Sequence, residues 1–538
     1  MRKWIVSFGM MGILISCQRE DVSTSFTEET SISALASPKA IETNTSLLAM
    51  TALTGQTHIS VEEAQKTALA TAMQMREVEG IVTKSPLEIA SVEVVKDNTR
   101  KPYVATKAGT TEQADVYIVN FANEQGYVIT SADRRLPSVL AYNSYGHLGD
   151  TPDNPGQAIL FSYMQEFIQN ERESFEANKE KLIQQAEEEI FKQLSKEKQA
   201  ELIKKGFFDE KGKRVKTKGK KIETEPIPFC LENYIFSSVE DEIEYYNSIT
   251  GTSYGDWKVK SIIPPLLKTL WSQSGSYNNK VPMYCDNIKD EAPVGCVATA
   301  VGQILAFHKK PTIFKGRAMH WEDMIKTDRG DMFSSIYSYN IQTNTTAKED
   351  IQHLLAHLGD NDLLAMSYDC KGSGSNKALE TLHSLGYTNA NKIDFNHGND
   401  AINEIKKGYP VYIEGCALEK TYSSSSSWWI FKDVKTKKYY EECHAWVLDG
   451  YVLKTQPMTI HIVCGKIEPI YYKSENPVQL IHNNFGWGGS TNGENKAGTG
   501  WYHIGVFNSN KNQESSNLYK SGIKGDYKFL NKIITNIK

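Results

Sequence analysis

Ala292-Pro293-Val294-Gly295-Cys296-Val297-Ala298-Thr299-Ala300 is the stretch on which the reading of this chain turns. A Pro/Gly turn runs straight into apolar residues that continue through Ile304, Leu305 and Phe307. The run closes at His308-Lys309-Lys310-Pro311, where cations suit a helix C-terminus and proline ends it. The pattern predicts a helix that begins near Cys296. A thiol at a helix N-terminus is pulled toward the thiolate, the form that attacks carbonyl carbon. Alone the position is weak, because a cysteine in an apolar helix is most often a small buried hydrophobe.

A thiolate nucleophile needs a base on rigid structure. Cys443-His444-Ala445-Trp446-Val447-Leu448-Asp449-Gly450-Tyr451 places His444 at the mouth of an apolar strand, the best of the twelve histidines. Further on, His482-Asn483-Asn484-Phe485-Gly486-Trp487-Gly488-Gly489 offers asparagines and an indole between tight glycine turns.

Composition narrows the field. The 538 residues carry 60 Lys+Arg against 65 Asp+Glu, a net charge of −5, which argues against a nucleic-acid binder. Hydrophobic residues at 40% and aromatics at 10% predict several folded domains. The one apolar run fit for a membrane, Ile5 to Ile15 behind Arg2 and Lys3, is about half a bilayer span, so channels and transporters are excluded. Residues 1–16 read as a secretory signal, and Leu14-Ile15-Ser16-Cys17 resembles a bacterial lipobox with Cys17 as the lipidated residue. Residues 17–57 read as a Ser/Thr-rich tether. Lipid anchoring to the cell envelope, at the outer membrane, is the expected location. Beyond Cys17 the remaining cysteines are odd in number, so one is expected to stay a free thiol, with disulfide pairing left open. None forms the close pairs of a zinc site, and no metal or cofactor is expected.

Ser60 with Glu63 predicts an N-capped helix over 59–75, and alternating apolar residues predict strands at 116–121, 127–129 and around 139–140, together a small α+β unit. Residues 163–206 read as a charge-laced solvated helix or helical hairpin. The lysine-rich run from Lys211 to Lys221 reads as an exposed linker, so 176–224 is the expected connector and processing region. The remainder, 225–538, combines the Cys296 helix with strands at 410–414, 445–448, 479–482 and 501–506.

In this order, Gly-Cys-Val-Ala-Thr-Ala, His-Ala-Trp-Val-Leu-Asp-Gly and Asn-Phe-Gly-Trp-Gly-Gly resemble the streptopain-type C10 cysteine peptidases. The likeness extends to Trp271-Ser272-Gln273-Ser274-Gly275, and upstream Val116 to Phe121, Gly126 to Arg135 and Val139 to Tyr142 are similar to that family's inhibitory propeptide. The resemblance implies an α+β chain with a papain-like two-lobed domain, one lobe helical and one antiparallel β. It also implies a zymogen whose propeptide, residues 58–175, inhibits its own peptidase, which acts on protein or peptide substrates. Residue by residue it implies Cys296 as nucleophile, His444 as general base and acid, Asn484 as the group orienting His444, and Gln273 with the Cys296 N–H as oxyanion hole. Ser373 and Ser375 fall where the family lines its substrate cleft.

Departures from the family pattern are specific. Phe485 stands where the family has tryptophan, leaving Phe485 and Trp487 to shield the histidine. Cys443 replaces a glycine and is expected to narrow the cleft, and the long insertion between Gly415 and His444 predicts a flap at its rim. A catalytically silent surface binder and a papain-like acyltransferase or amidase stay open as alternatives. His353 and His357, one helical turn apart, lack the acidic base of a zinc peptidase.

Overall fold

The computed structural model describes residues 45–537 except 82–85, 97–98, 105–113, 149–154, 216–224, 228–231, 235–238, 288, 330–344, 371–372, 396–397, 429–430, 464–469, 489–498 and 508–531. The expected signal, the expected lipidation site Cys17 and the basic run beyond Val215 lie outside the described residues.

The N-terminal unit is built on strict alternation. Helix α1 (Thr45–Thr54) precedes α2 (Val61–Val78), whose N-cap Ser60 accepts the Glu63 N–H at 3.2 Å. Strands β1 (Ile89–Lys96), β2 (Thr99–Pro102), β3 (Val116–Phe121), β4 (Tyr127–Ser131) and β5 (Val139–Asn143) form antiparallel neighbours. Every residue of β3, β4 and β5 is buried. Tyr117, Val119, Val128 and Tyr142 pack under Ala64, Ala68 and Ala72 of α2. On the other face, Val116, Ile118 and Ile129 pack on Leu160, Phe161 and Met164 of helix α3 (Pro155–Gln193).

Two domain expectations are corrected. The tether does not run unbroken to residue 57, because Leu47, Met50 and Leu53 of α1 are buried against Phe175, Ile183 and Ile190. The connector is helical as expected but is not solvated on every face. α3 crosses the expected 175/176 boundary without a break, and with α4 (Lys196–Lys204) it buries Ala186, Phe191 and Leu202. Phe191 stacks on Phe208, and the buried Arg214–Glu187 pair, 3.1 Å, ties the following turn back to α3. Charge at many positions hid a narrow apolar stripe.

Short hairpins β6–β7 (Glu225–Ile227, Glu232–Tyr234), β10–β11 (Tyr284–Cys285, Asp290–Glu291) and β12–β13 (Ile313–Phe314, Arg317–Ala318) decorate the C-terminal part. Its framework comprises helix α5 (Val239–Ile249), strands β8 (Thr250–Tyr254) and β9 (Lys258–Ile263), and helices α6 (Cys296–His308), α7 (Trp321–Arg329), α8 (Thr345–Leu358), α9 (Ala378–Ser384) and α10 (Asn399–Lys406). The remaining strands are β14 (Asn391–Asp394), β15 (Val411–Trp428), β16 (Phe431–Ile462), β17 (Ile470–Asn484), β18 (Gly500–His503) and β19 (Lys532–Thr535). α6 is the hub of the helical lobe, its apolar residues packed by Met324, Leu354, Leu355 and Leu382 of α7, α8 and α9. Tyr412, Ala445 and Val447 close this core from the sheet, while Ile413, Trp446 and Leu448 pack with Ile402 and Ile405 of α10. A disulfide, Cys285–Cys370, staples the helical lobe.

The β lobe and the N-terminal unit share one sheet, ordered β14-β19-β15-β16-β17-β18-β5-β4-β3-β1-β2, with β8 and β9 on β16. The junction pairs Trp501 with Tyr142 and Tyr502 with Ala141. The expected flap takes the form of a long ribbon in which β15 and β16 pair from Cys416↔Cys443 out to Trp428↔Phe431. A second extension, β16 with β17 to Ile462↔Ile470, carries Met458, Ile460 and Tyr472 into the connector's core.

Candidate active site

Gly295 permits the turn into α6. Its φ is +90°, and a Cβ there would lie 2.3 Å from Met366 Cε and 2.6 Å from the Ser373 carbonyl oxygen. Cys296 therefore opens the helix straight after a turn that packs on the Ser373 carbonyl, and Thr299 Oγ1 donates to the Gly295 carbonyl at 3.0 Å. The Val294 N–H donates to the Gln273 carbonyl at 2.8 Å, so the segment carrying the oxyanion candidate is clamped to the same turn.

His444 is buried on β16, opposite Gly415. Its Nε2 lies 2.8 Å from the Phe485 carbonyl oxygen, and its ring stacks on Trp446 at 6.0 Å and meets Trp487 edge-on at 5.9 Å. Burial pushes the imidazole down to about 4, against a smaller upward pull from the Phe485 carbonyl. The ring is held neutral in this state.

One turn joins these parts. Phe485 accepts from His444, a Cβ on Gly486 would press on Thr299 in the first turn of α6, and the Gly488 N–H donates to the Trp271 carbonyl at 3.0 Å. The expected Asn484–His444 bond differs in the structure. Asn484 Nδ2 donates to the Thr269 carbonyl at 2.8 Å, its Oδ1 accepts the Gly486 N–H at 3.2 Å, and the carbonyl of the next residue meets the histidine. A backbone carbonyl leaves no mark in sequence, whereas the amide side chain beside it does.

The other expected residues divide. The Ser373 backbone abuts Gly295, whereas the Ser375 hydroxyl is spent on the Leu364 carbonyl and the Lys377 N–H. Cys443 is partly buried beside the histidine, and both it and Cys296 are disulfide-bonded. Among the described residues no cysteine is free, while Cys230 and Cys464, which the expectation of one spare thiol also counted, lie outside them. His353 bonds the Phe314 carbonyl and His357 bonds Asp360, and among the described residues no cluster could hold a metal ion.

The N-terminal unit reaches this site at a residue the sequence did not flag. A Cβ on Gly156, in the first turn of α3, would lie 2.2 Å from Phe485 Cδ1 and 2.9 Å from His444 Cδ2. Pro155-Gly156 signals a helix start, but nothing local signals what the helix start touches.

Comparisons with known proteins follow the same division. The model of the peptidase C10 family matches residues 271–493, and that of the Spi protease inhibitor matches 58–168. The thiol protease/hemagglutinin PrtT of Porphyromonas gingivalis is 26% identical over 259 residues, which are 43% of this chain and 24% of that protein. The chain thus spans about a quarter of the length of that relative. Similar solved structures include a fragment of Prevotella intermedia prointerpain A (TM-score 0.38, 17% identity, 78% of this chain and 95% of that one). Another is active interpain A of the same organism (TM-score 0.28, 20% identity, 46% and 88%). The first match takes in Gln273, Cys296, His444 and Asn484 and the second the unit whose helix meets His444, so residues 271–493 are similar to the peptidase C10 family of cysteine peptidases and residues 58–168 to a Spi-type protease inhibitor, the propeptide of such an enzyme.

Proposed function

We propose that this chain is the zymogen of an exported, lipid-anchored cysteine endopeptidase that hydrolyses protein or peptide substrates. The observation that carries the reading is the turn at 485–488, which holds His444 on one side and the Cys296 helix and Gln273 segment on the other. Once its disulfide is reduced, Cys296 at the head of α6 is stabilised as a thiolate. Cys296 attacks the scissile carbonyl, while the Cys296 N–H and Gln273 Nε2 receive the oxyanion. His444 protonates the leaving amine and then draws a proton from the water that hydrolyses the thioester.

The same geometry supports latency. Catalysis needs the imidazolium partner of a thiolate, and both burial and the positive N-terminal end of α3 beside Gly156 disfavour it. Removing the propeptide admits water to the ring and takes away the opposing dipole. Export rests on the signal at residues 1–16 and anchoring on Cys17.

The test is intact mass against time for the chain lacking residues 1–17, beside its Cys296→Ala variant, at neutral pH with mild reductant. Shortening of the parent alone is expected. If neither shortens after trace trypsin, and no thiol-directed inhibitor adds to Cys296, the reading falls.

A further inference from the structure

Gln303 lies about two helical turns beyond Cys296 on α6 and is fully buried. A buried primary amide costs free energy unless its groups are bonded. Its Oε1 accepts the Trp271 N–H at 3.1 Å, two residues before Gln273. Its Nε2 donates to Asn484 Oδ1 at 3.3 Å, and Asn484 in turn holds the Thr269 carbonyl and the Gly486 N–H. One side chain on the nucleophile helix therefore fastens both the segment that presents the oxyanion donor and the turn whose Phe485 carbonyl fixes His444.

We infer that Gln303 is a positioning residue for the proposed peptidase reaction, setting the oxyanion-hole segment and the His444-orienting carbonyl in one register against Cys296. The inference rests on the peptidase reading. It assigns Asn484 a place in the same relay, one peptide away from the histidine. Oxyanion donors act only when they meet the position the oxyanion will occupy, and a shift of about 1 Å can cost on the order of 10²-fold in rate.

Two variants separate positioning from packing. Gln303→Met keeps the length and removes its bonds to both Trp271 and Asn484. Gln303→Glu keeps an acceptor and, because burial holds its carboxyl protonated, a donor. Each is made in the chain lacking residues 1–17, matured, and counted by active-site titration with a thiol-directed inhibitor, so that loss of folded protein does not enter kcat. For Gln303→Met, kcat on a peptide substrate should fall by about 10 to 10²-fold with KM little changed. The pH profile of Cys296 alkylation should also move as His444 loosens, and Gln303→Glu should recover most of kcat. If Gln303→Met does not fold, Gln303→Asn, too short to span both partners, is measured in its place. A parent chain without turnover overturns the peptidase reading and this inference with it. An active parent whose Gln303→Met variant keeps both kcat and the alkylation profile, or whose two variants lose kcat equally, overturns this inference alone.

Discussion

Adding one methyl group at Gly156 should loosen the zymogen without touching the mature enzyme. A Cβ there would stand 2.2 and 2.8 Å from two carbons of the Phe485 ring and 2.9 Å from His444 Cδ2, all inside contact distance. Neither neighbour has room to retreat, since Phe485 is buried against Trp446 and Tyr502 and His444 against Trp446 and Trp487. Overpacking of this kind costs about 1–3 kcal/mol. Alanine is the better helix former by up to about 1 kcal/mol, which offsets part of that. A net loss of roughly 1–2 kcal/mol would raise the population with α3 lifted from the site about 5- to 30-fold. Gly156→Ala should therefore shorten its own chain faster by a similar factor under mild reductant, read by intact mass. Its mature form, having shed the substitution, should match the parent in kcat and KM. Maturation at the parent rate, with amide exchange at the start of α3 also unchanged, would refute the reasoning.

Further outcomes follow from other contacts. Lys454 is buried between Thr71 of the propeptide and the Trp257 ring, and desolvation pushes its ammonium down to about 7. The docked form thus binds fewer protons than the released form above about pH 7. Docking should strengthen as pH rises from there toward the ordinary lysine range and be weakest below it. Lys454→Met should flatten that dependence in thermal melts of the full chain. Buried Asp449 accepts from the Leu267 N–H at 2.9 Å and pairs with His482 at 2.5 Å, so Asp449→Asn should cost roughly 3 kcal/mol by chemical denaturation, and a cost under about 0.5 kcal/mol would contradict that role. The Cys285–Cys370 bridge spans 85 residues, and replacing both by serine should cost up to about 4–5 kcal/mol by the loop-entropy account, measured by denaturation without reductant.

Local pattern carried much of this protein. The Pro/Gly turn and the His-Lys-Lys-Pro stop bracket α6 at Cys296–His308, and Ser60 caps α2 as its spacing indicated. Strands β3, β4 and β5 fall on the alternating runs that suggested them. What stayed hidden depends on partners distant in sequence. The stripe on α3 is too sparse to stand out among its charges until α1 and the far ends of β16 and β17 arrive to cover it. The relay through Gln303 joins residues 269–271, 303 and 484, and half of its members are backbone groups, identical at every position along the chain. His444 was legible as a residue, whereas its acceptor and the helix end that covers it were not.

The seam between the two parts of the sheet also supplies an optical clock. Trp501 is wholly buried, paired across the seam to Tyr142, and its indole N–H donates to Glu79 of the propeptide at 2.7 Å, while the Trp257 carbonyl accepts from Gln74 at 2.6 Å. Both indoles belong to the part that remains after maturation. Cutting the chain leaves them dry, and only physical departure of the propeptide wets them. Tryptophan emission should thus shift to the red at release rather than at cleavage, so that one cuvette can time the two events separately.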